Sequence, residues 1–109
     1  MTRTLIFAAA LAALATPAMA AGSMTGNALI KECSRGSDYC YGYVLGVADS
    51  QKPCGLAQAA NKGTITGRQL RAVVEGYLYR NPQKWHLSGH VLVLEAFVEA
   101  WPCLKQVNS

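Results

Sequence analysis

The chain has 109 residues, enough for one domain with a modest hydrophobic core. It carries 10 basic and 6 acidic side chains, for a net charge of +4. The basic residues are spread singly and lack the dense clusters or interleaved aromatic residues of a nucleic-acid-binding surface, so we interpret them as solvating charges. There is no serine nucleophile elbow, glycine-rich phosphate loop or HExxH zinc motif, and no cofactor site is expected.

The first twenty residues have the features of a cleaved signal peptide. Arg3 gives a positive start, residues 5–14 form an apolar run, and Ala18-Met19-Ala20 supplies the small residues that signal peptidase requires. The apolar run is about half of the roughly 20 residues that a membrane-spanning helix needs. We therefore expect cleavage after Ala20, export to the periplasm, and a soluble mature domain of residues 21–109 with a net charge of +3.

Apolar residues at helical spacing predict an all-α domain of four main helices, because no useful run of alternating β pattern is present. Ser, Thr or Asp residues can cap three of these helices: Thr25 the first, Ser37 or Asp38 the second, and Thr64 or Thr66 the third. The helices are expected at 27–33, 39–50, from the third cap to Arg80, and from Ser88 to Pro102. The segment between Lys52 and Thr66 is predicted to be a loop with one helical turn near 56–60.

Two helices have patterns that suggest particular faces. Gly42 and Gly46 lie one turn apart in the second helix, and a glycine pair at this spacing suggests close approach of another backbone or a bulky side chain, within the chain or across a dimer. In the last helix the clearest apolar stripe is formed by Val91, Leu94, Val98 and Trp101.

All four cysteines lie in the expected mature region. In an exported chain their even number predicts two disulfides, and the paired short spacings of a zinc site are absent. Four cysteines allow three connectivities, and the sequence alone cannot choose among them. The turn between the first two helices brings Cys33 close to Cys40, which suggests this pair together with Cys54–Cys103.

Few residues are candidates for chemistry or binding. His86 and His90, with a third ligand from Asp49 or Glu95, are the one suggestive metal set, but two histidines alone are too few and packing or exposure is the simpler interpretation. With Lys84 and His90, Trp85 is a candidate partner contact, because an exposed tryptophan beside basic residues is a common hot-spot type. Core packing of Trp85 is the open alternative.

Several ordered motifs, together with all four cysteines, resemble one family over nearly the whole mature chain. The motifs are Cys40-Tyr41-Gly42-Tyr43-Val44-Leu45-Gly46-Val47-Ala48-Asp49, then Gln69-Leu70-Arg71-Ala72-Val73-Val74, then Pro82 and His86, and finally Trp101-Pro102-Cys103. They resemble the Rap/Tai immunity proteins of the type VI secretion system.

The resemblance implies a small helical periplasmic protein, often dimeric, that binds a secreted peptidoglycan amidase and occludes its active site. It makes Gly42, Tyr43, Gly46, Asp49, Gln69, Leu70, His86 and Pro102 family framework and implies no catalytic residues.

Two other functions remain as hypotheses. The same helical domain could be an envelope stress chaperone or adaptor without a cognate toxin, since fold does not fix function. An enzyme is the third hypothesis, and it depends on the His86/His90 pair.

Overall fold

The computed structural model describes residues 24–104, so the expected signal peptide and its cleavage site lie outside the described residues. As predicted, the domain is all-α, and the only β pairing among the described residues is an isolated bridge between Thr25 and Ser88. A short 3₁₀ helix, Pro82–Lys84, precedes the last α-helix. The five α-helices are α1 (Gly26–Ser34), α2 (Asp38–Gln51), α3 (Cys54–Lys62), α4 (Gly67–Arg80) and α5 (Gly89–Ala100). None of these helices is long and apolar enough to cross a membrane.

Three helices begin at side-chain caps, and each capping residue is one of the predicted N-caps. Thr25 Oγ1 accepts a hydrogen bond from Ala28 N at 3.3 Å, and Ser37 Oγ accepts one from Cys40 N at 3.3 Å. At α4, Thr66 and Gln69 form a reciprocal capping box. Each cap satisfies backbone N–H groups that the first turn of a helix leaves without partners.

The segment between Lys52 and Thr66 is more ordered than the sequence indicated. In place of a single turn it contains the nine-residue helix α3, which begins after Pro53 without a side-chain cap. Only Gly55 and Leu56 of this helix are buried. Such a short helix with so little buried surface depends on tertiary contacts, which its own sequence pattern does not reveal.

One apolar cluster holds the helices together, and α4 lies at its centre, with its largest interfaces to α5 and α2. Phe97, Leu29 and Leu92 are the largest fully buried side chains, each 0 % exposed. Full burial of a side chain of this size stabilises the fold by about 1.5–3 kcal/mol. The cluster also contains Ile30, Cys33, Cys40, Val44, Val47, Ala48, Leu56, Leu70, Val74, Tyr77, Leu78, Val93 and Ala96.

The buried face of α5 differs from the stripe that the sequence suggested. Leu92, Val93, Ala96 and Phe97 face the core, whereas Val91 and Val98 are 38 % and 57 % exposed and Leu94 is half-buried. Because the helix is apolar nearly all round, a period of three and four residues fits more than one side of it. The core selects one side and leaves the other stripe facing solvent.

Close packing against a glycine occurs at Gly55 and not at Gly42 or Gly46, where the sequence suggested it. Both of these are exposed, and a Cβ added to either would meet nothing within 4 Å. A Cβ at Gly55 would instead overlap the carbonyl oxygen of Trp101 and lie 2.6 Å from the carbonyl carbon of Pro102. The prediction of tight packing at the α2 glycines is therefore wrong within this chain.

The two disulfides join the cysteines that the sequence suggested, and they differ in burial. Cys33–Cys40 links α1 to α2 across the turn and is buried in the core, with the two residues 2 % and 0 % exposed. Cys54–Cys103 links the start of α3 to the chain after α5, and both of its residues are exposed. The first bridge is thus part of the core, and the second fastens a peripheral helix.

Backbone hydrogen bonds join the start of the described chain to the segment before α5. Gly26 N donates to Leu87 O at 2.9 Å, and Gly89 N donates to Met24 O at 2.7 Å. Another bond runs from Asn27 N to the carbonyl of Trp85. These bonds fix the entry to α1 against the connection between α4 and α5.

Candidate interaction surface

The outward side of α5 forms an apolar groove that no other element of the described chain covers. Its apolar floor is Val91, Leu94 and Val98, and its volume is about 490 Å³. We call this surface the α5 face; its other lining residues are Tyr77, Lys84, Glu95 and Glu99. Exposed branched side chains in a row are unusual in so small a domain and are typical of interaction sites.

A hydrogen-bonded network of three side chains borders the α5 face. Lys84 Nζ lies 3.0 Å from Glu95 Oε1 and 3.1 Å from the Tyr77 hydroxyl oxygen. The Tyr77 hydroxyl in turn donates to Glu95 Oε1. The network ties the 3₁₀ turn and α4 to α5, so it fixes the shape of this side of the groove.

The hydrogen bonds of this network shift the pKa values of its members. Hydrogen bonds from Tyr77 and Lys84 lower the pKa of Glu95, so the carboxylate stays ionised. Hydrogen bonds to Tyr77 and Glu95 raise the pKa of Lys84, and burial followed by the bond to Glu95 raises the pKa of Tyr77. The network is therefore suited to holding structure and presenting charge.

The protein has no free cysteine thiol that could act as a nucleophile. All four cysteines are in disulfides. Among residues 24–104 no three His, Cys, Asp or Glu side chains lie close enough together to hold a metal ion. His86 and His90 are both exposed, and His90 Nδ1 lies 2.8 Å from Ser88 Oγ. The two histidines are thus not brought together with Asp49 or Glu95 as a metal site.

The three candidate partner contacts have different surroundings. Lys84 belongs to the α5 face. The Trp85 indole nitrogen donates to the Leu78 carbonyl at 2.7 Å, and its ring is partly buried against the core. His90 is exposed in the first turn of α5. Trp85 therefore has a packing role, although its exposed edge still borders a groove beside α1.

A comparison with protein families assigns the chain on its sequence. The model of the Rap1a immunity proteins matches residues 25–103, which is more than two thirds of the chain. The chain belongs to the Rap1a immunity protein family. No curated protein and no solved structure matches it significantly. Membership of this family implies that the chain binds a cognate effector protein.

The residues that the resemblance marks as framework of this Rap1a family member occupy two kinds of position. Gln69 accepts a hydrogen bond from Thr66 N at 2.8 Å in the capping box of α4, and Leu70 is buried behind it. Pro102 lies where the chain passes Gly55, and Tyr43 is half-buried with its ring stacked on Tyr39. The others are Gly42, Gly46, Asp49 and His86, which are exposed, as are Gln69 and Pro102.

The α5 face is the part of the surface that sequence reasoning missed. Val91, Leu94 and Val98 were assigned to a buried stripe because their spacing fits a helix, and only Lys84 was predicted as a partner contact. The signal that could have found it is the excess of apolar residues on α5, since a helix with two apolar faces needs a second partner. The hydroxyl contact from Tyr77 to Glu95 depends on tertiary placement, which no local sequence pattern indicates.

Proposed function

We propose that this Rap1a family member is a periplasmic immunity protein of a type VI secretion system. In this proposal it binds a peptidoglycan amidase effector and occludes its active site, so that the producing cell is protected. The observation that carries the proposal is the family match over residues 25–103. The expected signal peptide supports action outside the cytoplasm, where cell-wall hydrolases reach their substrate.

The structure gives physical support to inhibition by binding. Two disulfides close the described domain, one holding α1 against α2 and the other holding α3 against the chain after α5, and this limits its conformational freedom. A rigid surface loses little conformational entropy when it binds, which favours a tight complex.

The test uses the mature protein, residues 21–109, and the amidase encoded beside its gene. We expect a stable complex, nanomolar inhibition of peptidoglycan hydrolysis, and rescue of cells that send the amidase to their periplasm. Rescue should be lost when residues 1–20 are deleted. Absence of binding to any neighbouring cell-wall hydrolase, together with suppression of client aggregation, would instead favour the envelope chaperone.

We further propose that two copies of the protein associate through the α5 face. The apolar stripe is nearly symmetric about Leu94, because Val91 lies three residues before it and Val98 four residues after it. Two α5 helices packed antiparallel would place Val91 of one copy against Val98 of the second. The ion pairs Lys84–Glu95 and Arg80–Glu99 leave the surroundings neutral, so two copies would not repel.

Sedimentation of the mature protein at increasing concentration tests this association. Val98→Glu should reduce the dimer fraction at least ~10-fold, because a charge would have to be buried against apolar residues. Leu104→Glu is the matched control, since Leu104 is also 57 % exposed but lies outside the α5 face. A wild-type protein that sediments as a monomer at every concentration would contradict the proposal.

A further inference from the structure

The two disulfides of this protein differ in how easily a reductant can reach them. Cys33 and Cys40 are 2 % and 0 % exposed and belong to the apolar cluster. Cys54 and Cys103 are both exposed. Thiol–disulfide exchange requires direct attack of a thiolate on one sulfur of the bridge, so access helps to decide which bridge reacts. A reductant in solution therefore reaches Cys54–Cys103, while the other bridge is protected as long as the core is folded.

The position of Cys54 also suits it to be the leaving group of such an exchange. It is the first residue of α3, and this helix begins without a side-chain cap. The N–H groups in the first turn of a helix carry partial positive charge, which stabilises a thiolate there. Cys103 lies beyond the end of α5, outside any helix. Attack on the Cys103 sulfur, which expels the Cys54 thiolate, is therefore the favoured direction.

The other contacts that hold α3 involve few residues. Among its nine residues only Gly55 and Leu56 are buried. Gln58 Oε1 accepts a hydrogen bond from Leu104 N at 2.8 Å, and Leu104 directly follows Cys103, so this bond ties α3 to the same chain end as the disulfide does. The disulfide joins residues 49 positions apart, and a cross-link over so long a loop strongly restricts the open chain. Loss of the bridge should therefore free α3 from the chain after α5.

Release of α3 would uncover apolar surface. A groove with a volume of about 260 Å³ runs between α3 and the neighbouring ends of α2 and α4, and we call it the α3 groove. Leu56 and Ala60 line it from α3, Ile65 and Leu70 from the α4 side, and Ala48 from α2. Leu56 and Leu70 are only 9 % and 7 % exposed while α3 is in place. Opening of the bridge thus changes the surface that the protein presents.

We propose that Cys54–Cys103 is a thiol–disulfide exchange site for a dithiol reductant, and that its reduction releases α3 while the rest of the domain stays folded. In the first step a thiolate of the reductant attacks the Cys103 sulfur, a mixed disulfide forms and the Cys54 thiolate leaves. In the second step the other thiol of the reductant attacks the reductant sulfur of the mixed disulfide, and the Cys103 thiolate leaves. The reductant is oxidised to a disulfide by two electrons, and its two protons pass to the two new protein thiols.

The first test follows reduction of the folded mature protein by dithiothreitol. Samples are alkylated at intervals, and mass spectrometry of the peptides identifies the free cysteines. We expect Cys54 and Cys103 to become free at least ~100-fold faster than Cys33 and Cys40, because the buried bridge can react only after the core opens. Equal rates for the two bridges, or faster reduction of the buried one, would overturn the proposal.

The direction of attack can be read with a monothiol, which stops the reaction at the mixed disulfide. At early times we expect glutathione to be attached to Cys103 at least ~3-fold more often than to Cys54, because the Cys54 thiolate is the better leaving group. Glutathione found mainly on Cys54 would show that the assigned direction is wrong.

Hydrogen exchange of the backbone amides, measured before and after selective reduction, tests the release of α3. We expect exchange in residues 54–62 to become at least ~10-fold faster, while α4 keeps its protection. An α3 that exchanges as slowly in the reduced protein as in the oxidised one would refute the release.

A variant that combines Cys54→Ser with Cys103→Ser is the matched control. It should show fast exchange in α3 without any reductant, and dithiothreitol should cause no further change, because the remaining bridge is buried. A further increase in α3 exchange on addition of dithiothreitol would assign the effect to Cys33–Cys40 and contradict the proposal. Loss of protection in α4 of this variant would contradict the independent release of α3.

Small dithiols and protein dithiols share this chemistry, and reduced thioredoxin serves as the protein probe. At equal thiol concentration, the faster of thioredoxin and dithiothreitol identifies the class of reductant that the site accepts, and reduction by neither would overturn the proposal. Every measurement uses this protein without an effector. The inference and the proposed immunity function can therefore fail independently of each other.

Discussion

Substitution of Gly55 by alanine tests how α3 is held against the rest of the protein. The added Cβ would overlap the Trp101 carbonyl oxygen and lie 2.6 Å from two carbonyl carbons. These neighbours are backbone atoms, so α3 or the chain after α5 must move, while the Cys54–Cys103 bridge resists their separation. Overpacking of this kind costs about 1–3 kcal/mol. The higher helix propensity of alanine offsets less than about 1 kcal/mol of this cost, because the position is in the first turn of α3.

We therefore expect Gly55→Ala to lower the free energy of unfolding by about 2 kcal/mol, which corresponds to roughly 10 °C in Tm for a domain of this size. Urea unfolding followed by far-UV circular dichroism and tryptophan fluorescence measures the change. Gly46→Ala is the matched control, since its Cβ meets nothing within 4 Å and should stabilise α2 by about 0.5–1 kcal/mol. The reasoning is refuted if Gly55→Ala proves as stable as Gly46→Ala.

Three further substitutions test other contacts. Thr66→Ala removes the capping box with Gln69 and should cost about 1 kcal/mol in urea unfolding, whereas the exposed Thr64→Ala should have little effect. The pKa of Glu95 is lowered in the folded protein, so the ionised carboxylate contributes to the free energy of unfolding above about pH 4.5, and this contribution is lost as the pH falls through the folded pKa. Glu95→Gln should therefore be less stable than the wild type at pH 7, and the difference in stability should disappear in acid. Trp85→Phe removes the hydrogen bond to the Leu78 carbonyl and should cost about 1 kcal/mol while the helical content stays constant, and an unchanged stability would contradict the packing role.

The helix boundaries could be predicted because their signals are local. Thr25, Ser37 and Thr66 cap the helices that follow them, and Pro82 follows the end of α4. The nearby cysteines of the first turn made the Cys33–Cys40 pair predictable as well. In each case residues a few positions apart decide the outcome.

The parts that could not be predicted depend on distant residues. α3 is stabilised by the Cys54–Cys103 bridge and by the fit of Gly55 against Trp101, neither of which appears in its own sequence. On α5 the choice between two apolar sides is made by the shape of the core. The α3 groove likewise depends on residues of α2, α3 and α4 that only the fold brings together.

The hydrogen bonds between the first described residues and the segment before α5 affect the order in which the protein can fold. Met24 bonds to Gly89, and Gly26 to Leu87, across almost the whole domain. Contacts between such distant residues form late and slow the folding rate. During synthesis, these hydrogen bonds at the entry to α1 therefore cannot form until the ribosome has released the connection to α5. The complete fold can therefore form only after nearly all of the domain has been synthesised.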